Sequence, residues 1–272
     1  MGTMAPSPSR LRALAVESAW TAAHAALYPF GLLRERTQAV VTSRLDGLRP
    51  RQRSLLERNV EAAGTPVVLL HGMVDNRTVF RLLARRLRAD GFRHVLTLGY
   101  SLATNDVRSA AQRLGADLEA LAERTGCERV VVVGHSLGGL IARYYVQQLG
   151  GDARVATLVT LGAPHHGTRA ANWFPTRLPR QLRPGSPLFA ELDAPAPGCR
   201  TRFVTYWSDG DQVILPQESG ALRHPDLDVV AVAVHDVGHM SLPIDRRIAD
   251  DLSARLASPA GDGNGRERSV PA

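Results

Sequence analysis

Short apolar runs rich in β-branched residues recur along the chain from residue 65 onward: 67–70 (VVLL), 95–98 (VLTL), 130–133 (VVVV), 155–161 (VATLVTL), 203–207 (FVTYW) and 229–234 (VVAVAV). Their apolar character is continuous rather than alternating, the pattern of strands buried on both faces in a parallel sheet covered by helices. The segments between them have helical spacing. Residues 76–90 place Val79, Leu82, Leu83 and Leu87 on one face, and residues 105–124 do the same with Val107, Leu114, Leu118 and Leu121. Asn76 and Asn105 precede these helices and are suited to cap them, because an Asn side-chain oxygen can accept from the free first-turn N–H groups. The alternation predicts a doubly wound α/β domain with a mostly parallel sheet, helices on both faces and right-handed crossovers.

Two stretches break this rhythm. Residues 169–200 carry six prolines together with Trp173, Phe174, Leu178, Leu182, Leu188, Phe189 and Leu192. Irregular insertions of this length inside compact domains are usually lids or binding loops. Trp173 and Phe174 would be costly to leave in a passive loop, so the segment is expected to form a Pro-rich cap or lid with these two side chains at the substrate pocket. Before the first strand, residues 18–33 lack Asp, Glu and Arg altogether. The run is too short and too polar for a span, which wants about 20 apolar residues. Glu17 interrupts the apolar region and no clean cleavage site follows it, so a signal peptide fits poorly. The expectation is a helix packed on the domain, with a membrane-surface helix and an export signal as alternatives. Localisation stays open between the cytoplasm, the membrane periphery and export. The last residues, 258–272, are a polar tail expected to be disordered.

Composition narrows the chemistry. All 33 basic residues in the 272 are arginine. Without an ε-amine, a Schiff-base mechanism and a Lys-dependent phosphate loop are both excluded. The net charge of +7 is spread along the chain, and aromatic residues make up only 5% with no basic-aromatic repeat, so no nucleic-acid partner is expected. Attraction to an anionic lipid surface remains open. Cys127 and Cys199 each precede a strand run, with one further strand between them in sequence. If those strands are neighbours, the thiols begin roughly 10 Å apart, two strand spacings, beyond bridging distance. Both are expected to be free.

The strongest chemical signal is Gly134-His135-Ser136-Leu137-Gly138-Gly139, directly after the run 130–133 and directly before a helical stretch. A nucleophile elbow needs that context: the chain turns sharply from strand to helix, glycines relieve the crowding, and the serine stands exposed at the strand end. Leu69-Leu70-His71-Gly72-Met73 closes the first strand, where a backbone N–H can face an oxyanion. Met73 is the expected donor there and Leu137, following the serine, the second. His71 precedes the serine in chain order and is expected to shape the loop. A base and its orienting carboxylate must follow. Asp211 is preferred over Asp209, because Asp209-Gly210 reads as a turn and Asp211 lies deeper in the loop. His239 is preferred over His235, which continues the strand run. His165 and His166 are adjacent, diverge, and have no Cys or carboxylate at ligand spacing, so no metal is expected there. Both are read as loop structure, with His166 a remote candidate for the pocket.

At these residues the chain resembles the bacterial lipase and esterase branch of the α/β-hydrolases. The matching pieces are HGM at 71–73, GHSLGG at 134–139, LGAPHHGT at 161–168, Asp-x-Val at 211–213 and GHMSL at 238–242. The resemblance implies a serine hydrolase of carboxylic esters, acting on small-molecule or lipid esters, with Ser136, Asp211 and His239 as its triad, Met73 and Leu137 as oxyanion donors, and no cofactor. An acyltransferase or thioesterase on the same fold, and a catalytically silent binding protein, are the competing readings. The implied organisation is an N-terminal extension over 1–64, a catalytic domain over 65–257 containing the insertion, and the tail. The extension and the insertion have no counterpart in the resemblance.

Overall fold

The six apolar runs all form strands. A computed structural model describes residues 15, 17–18, 50–73, 77–99, 106–258 and 268–269. In it β1 is Val67–Leu70, β2 Val95–Leu98, β3 Val130–His135, β4 Val155–Leu161, β5 Arg202–Ser208 and β6 Asp228–Val234. They lie in the order β2-β1-β3-β4-β5-β6, every neighbouring pair parallel. A two-residue strand, β7 (Arg268–Ser269), adds to the outer edge of β6 opposite Val232 and Ala233. These two residues depart from the expected disordered tail. An open edge leaves a row of backbone groups unpaired, and this short segment supplies partners for part of it.

The continuous apolar runs are explained by burial on both faces. Along β1, Val67 and Leu69 join one buried cluster, with Leu83, Leu87 and Leu252, while Val68 and Leu70 join the other, with Leu114, Leu118 and Leu140. The helices divide accordingly. α1 (Pro50–Arg58), α2 (Val60–Gly64), α3 (Arg81–Asp90) and α8 (Arg246–Ala257) serve the first face; α4 (Val107–Thr125) and α5 (Leu137–Gln148) serve the second. Each fully buried Leu or Val contributes about 1.5–3 kcal/mol.

Two helix starts differ from expectation. The segment before α3 opens as a 3-10 turn, Arg77–Phe80, and Asn76 lies outside the described residues. The buried stripe runs through Val79, Phe80, Leu83, Ala84 and Leu87 at helical spacing, so the inward face is centred on the Phe80–Ala84 side and Leu82 is left 45% exposed. α4 is capped by Asp106, whose carboxylate accepts from the Arg108 N–H at 2.9 Å; Asn105 is outside the described residues. Of the apolar N-terminal stretch, Ala15, Glu17 and Ser18 are described and helical, and the rest of the expected helix lies outside the described residues. No helix among the described residues is long and apolar enough to cross a membrane. Cys127 and Cys199 are free, entering β3 and β5 with β4 between them.

The strand order places a crevice. From β1 the chain crosses over to β2 on one side, and from β3 it crosses to β4 on the other. Between two connections that depart in opposite directions, the carboxyl ends of the strands open into a cleft where ligands bind in such sheets.

The insertion is mostly packed. α6 (Arg177–Gln181) and α7 (Pro187–Leu192) bury Leu178, Leu188, Phe189 and Leu192 in the same cluster as α4 and α5. Trp173 and Phe174, by contrast, are 74% and 53% exposed. Arg143 of α5 pins the far end. Its guanidinium is fully buried and donates to the carbonyls of His165 at 2.8 Å and Leu192 at 2.9 Å and to Gln147 Oε1 at 2.6 Å. Burial pulls its pKa down to about 10, against the opposing pull of Asp193, so it stays charged at neutral pH. Nearby, the Tyr144 hydroxyl and Arg108 both donate to Glu191. Arg143→Ala strands the His165 carbonyl, at about 1–3 kcal/mol, while the Leu192 carbonyl keeps its bond from Gln147 Nε2 at 3.0 Å. The expected outcome is a loss of roughly 2 kcal/mol, read as a lower urea midpoint with the slope of unfolding unchanged.

Candidate active site

The turn between β3 and α5 is built around missing side chains. A Cβ on Gly134 would lie 2.4 Å from the Gly139 nitrogen, and one on Gly138 would lie 2.3 Å from the Leu70 carbonyl oxygen and 2.5 Å from that of His71. Strand β3, helix α5 and the end of β1 therefore approach more closely than any other residue permits at those positions. Ser136 sits at the apex with φ 53° and ψ −122°, a left-handed conformation that costs a non-glycine residue about 1–3 kcal/mol. Its N–H donates to the Leu161 carbonyl at 2.9 Å, locking the turn to the end of β4. Leu137 opens α5, whose N-terminus favours negative charge. β1 pairs with β3 so that Leu70 stands opposite Gly134; Met73 and Ser136 thus leave neighbouring strands side by side.

The carboxylate and imidazole come from the loops after β5 and β6. Asp211, 2% exposed, accepts at Oδ1 from the N–H groups of Val213 at 2.8 Å and Ile214 at 2.9 Å, and its Oδ2 lies 2.7 Å from His239 Nδ1. An ionised carboxylate only accepts, so Nδ1 carries the proton and Nε2 is left as the basic nitrogen. Gly162, the residue after β4, links this pair to the elbow. It has φ +58°, and a Cβ there would lie 3.2 Å from both Asp211 Oδ2 and His239 Nδ1. Its neighbour Leu161 is the residue that receives the Ser136 N–H. His135, beside Ser136, holds the other side: its ring centroid is 4.8 Å from that of His239, and its Nε2 is 3.0 Å from the His239 carbonyl. Ser136, Asp211 and His239 are in this way gathered at the carboxyl ends of β3 to β6.

The alternatives weighed in sequence form a pair of their own. His235 Nδ1 is 2.9 Å from Asp209 Oδ2, and the Asp236 N–H donates to the same carboxylate. That pair is exposed, 60% for His235 and 42% for Asp209, whereas the side chains of His239 and Asp211 are 5% and 2% exposed. His71 shapes its loop, its Nδ1 meeting the Gly72 carbonyl at 2.8 Å. His166 is half-buried, with its pKa lowered mainly by burial. Two residues at the site, Gly162 and His135, were given no role of their own by sequence. A glycine directly after a strand was the available signal for the first.

The comparisons with known proteins bear on the fold. Residues 65–193 match the family model described as the alpha/beta hydrolase fold. A triacylglycerol lipase of Vibrio cholerae serotype O1 is 31% identical over 112 residues, 39% of this chain and 35% of the relative. The chain thus spans about a third of that curated relative. Among solved structures, lipase BlEst2 of Bacillus licheniformis in its propeptide form aligns with a TM-score of 0.61 at 16% identity, over 75% of this chain and 52% of that one. Aspergillus fumigatus lipase B aligns with a TM-score of 0.56 at 17% identity, over 85% and 64%. In architecture the chain has the alpha/beta hydrolase fold, which it shares with these structures. The family match contains the elbow and stops before Asp211 and His239, so those two rest on their geometry.

His165 lies beneath this floor, fully buried, its Nε2 2.9 Å from the Thr160 hydroxyl. Burial, with the nearby Arg143 charge, holds its pKa well below the ordinary value of 6.5. The unfolded chain takes up this proton near pH 6.5 and the folded chain does not, so unfolding binds protons and stability is lost as pH falls below about 6.5. Unfolding free energies measured from pH 7 to pH 5 are expected to fall, by up to about 1.4 kcal/mol per pH unit from this group. In His165→Gln the dependence is shallower, whatever the variant's absolute stability; equal slopes in the two proteins would contradict the assignment.

Proposed function

We propose that the chain is a carboxylic ester hydrolase of the lipase and esterase type, working through an acyl-enzyme on Ser136. The observation that carries this reading is the buried Asp211–His239 pair, held through Gly162 against the same β4 end that receives the Ser136 N–H. Ser136 Oγ attacks the ester carbonyl carbon as its proton passes to His239 Nε2. Asp211 keeps Nδ1 protonated and steadies the imidazolium that forms. The N–H groups of Leu137 and Met73 receive the oxyanion, at the start of α5 and beyond β1. Collapse of the tetrahedral adduct breaks the bond to the alkoxy oxygen, which leaves as the alcohol with the proton from His239. Water, deprotonated by the same nitrogen, then releases the carboxylic acid and restores Ser136.

Acyl lipids are the substrate class that best suits the surroundings. Trp173 and Phe174 are exposed on the segment that follows the His165-His166 loop, and Val213, two residues past Asp211, is 42% exposed. The Thr168 hydroxyl donates to the Val213 carbonyl at 2.7 Å, so the loops that carry these apolar side chains adjoin. An acyl chain leaving the Ser136 carbonyl can lie against them.

Ser136→Ala is expected to abolish hydrolysis of short p-nitrophenyl esters together with labelling by an organophosphonate. Asp211→Asn, which breaks the tautomer, is expected to lower kcat by about 10³–10⁴-fold. Asp209→Asn and His235→Ala, on the exposed pair, are expected to stay within about threefold of the parent, since such pairs are screened by solvent. Phosphonate labelling that persists in Ser136→Ala, or an inactive Asp209→Asn beside an active Asp211→Asn, overturns the assignment.

A further inference from the structure

A buried carboxylate from the far N-terminal end of the chain reaches the loop that carries His239. Glu17 is only 9% exposed. One of its oxygens accepts from the Met240 N–H at 2.6 Å, and the other accepts from the Ser241 hydroxyl at 2.7 Å. On the opposite side of His239, Gly238 makes room for it. A Cβ on Gly238 would lie 2.4 Å from Glu17 Oε2 and 2.5 Å from its carboxyl carbon. One carboxylate thus touches the residue before His239 and bonds to the two residues after it.

The loop needs such an outside partner. His239 begins a 3-10 turn, His239–Ile244, whose cap position is Gly238, a residue with no side chain to satisfy the free N–H groups. Glu17 takes over that capping duty, and hydrogen bonds to an ionised acceptor are roughly twice as strong as neutral ones. Burying a carboxylate is costly unless its oxygens are well matched. That cost is met at the one loop where a small displacement matters most, because the His239 ring is fixed at Nδ1 by Asp211 and across its face by His135. Backbone drift at 238–241 would swing Nε2 away from Ser136.

We propose that Glu17 is a positioning residue for His239, so that the N-terminal segment bearing it forms part of the catalytic unit. The proposal rests on the reading of Ser136, Asp211 and His239 as a triad. In Glu17→Ala the loop loses both bonds, and kcat for a short p-nitrophenyl ester is expected to fall by roughly 10–100-fold, the scale of an ångström-sized misplacement. KM stays within about twofold, because no substrate contact is removed. The rate of Ser136 phosphonylation falls in parallel. Glu17→Gln can still accept from the Met240 N–H and can donate to Ser241 Oγ, so it is expected to recover kcat to within about threefold of the parent. Gly238→Ala, which pushes a methyl group into the carboxylate, reproduces Glu17→Ala.

Full-length protein is used throughout, with the thermal midpoint measured beside the kinetics. A Glu17→Ala enzyme with parental kcat overturns the proposal, and so does a loss that Glu17→Gln fails to recover at an unchanged midpoint. Should Glu17→Ala not fold, Ser241→Ala carries the test, since it keeps the carboxylate and the Met240 bond. A severalfold lower kcat at constant KM then supports the proposal, and parental kcat overturns it. Ser136→Ala in the same assay separates the two levels. If that variant keeps its activity, the triad reading fails; if it is dead while Glu17→Ala is normal, only the role of Glu17 fails.

Discussion

The site depends on one steric constraint: at residues 134 to 139 three pieces of backbone meet with no room for a Cβ at Gly134 or Gly138. Close approach brings the start of α5 against the end of β1, which sets Leu137 beside the loop that follows β1. The serine is forced into a left-handed conformation as a result. The strain, of order 1–3 kcal/mol, is small against what flanks it. Leu137, Leu140 and Ile141 are almost wholly buried on the α5 side, each contributing about 1.5–3 kcal/mol. The elbow is held by its core, and the half-buried serine at its apex is a by-product of that packing.

Two Asp–His pairs of nearly equal length stand within a few residues of each other, and the difference between them is their surroundings. The contact of His235 with Asp209 is solvated and screened, where unit charges about 4 Å apart are worth only ~1 kcal/mol. The contact of His239 with Asp211 is closed off from water, and at the effective dielectric of a protein the same separation is worth about 4 kcal/mol. An imidazolium that forms during a reaction is stabilised far more in the second setting. Asp211 is also held by two backbone N–H groups of its own loop, so its carboxylate is oriented before any charge develops on the ring.

Much of this was legible in the sequence because the signals are local. Continuous β-branched runs gave the strands, and Gly134 to Gly139 between a strand and a helix gave the elbow. The preference for Asp211 and His239 rested on loop position, and their burial in the structure is consistent with it. What failed or was absent depends on contacts distant in sequence or on fine phase. Leu82 faces solvent because the inward face of α3 is centred on the side of Phe80 and Ala84, and which edge of an apolar stripe turns inward is set by packing rather than by composition. Insertion residues 178–192 read as irregular because prolines punctuate them, yet Arg143 and the α4–α5 face fold them into the core. Gly162 belonged to a recognised stretch, but its role appears only once β3, β4, β5 and β6 are side by side.

Glu17 is the extreme case. Its partners are more than two hundred positions away, and in sequence it reads as the residue that spoils an apolar segment. The same charge that argued against a signal peptide is the one that the fold buries. A carboxylate within an apolar stretch is expensive to bury and needs a matched set of donors, and the 238–241 loop presents a free N–H, a hydroxyl and a missing Cβ together. The complementarity runs in both directions: Gly238 has no side chain to cap its own turn, and Glu17 brings two acceptor oxygens to it. In the proposal made above, burial of Glu17 and placement of the His239 loop are therefore one event rather than two.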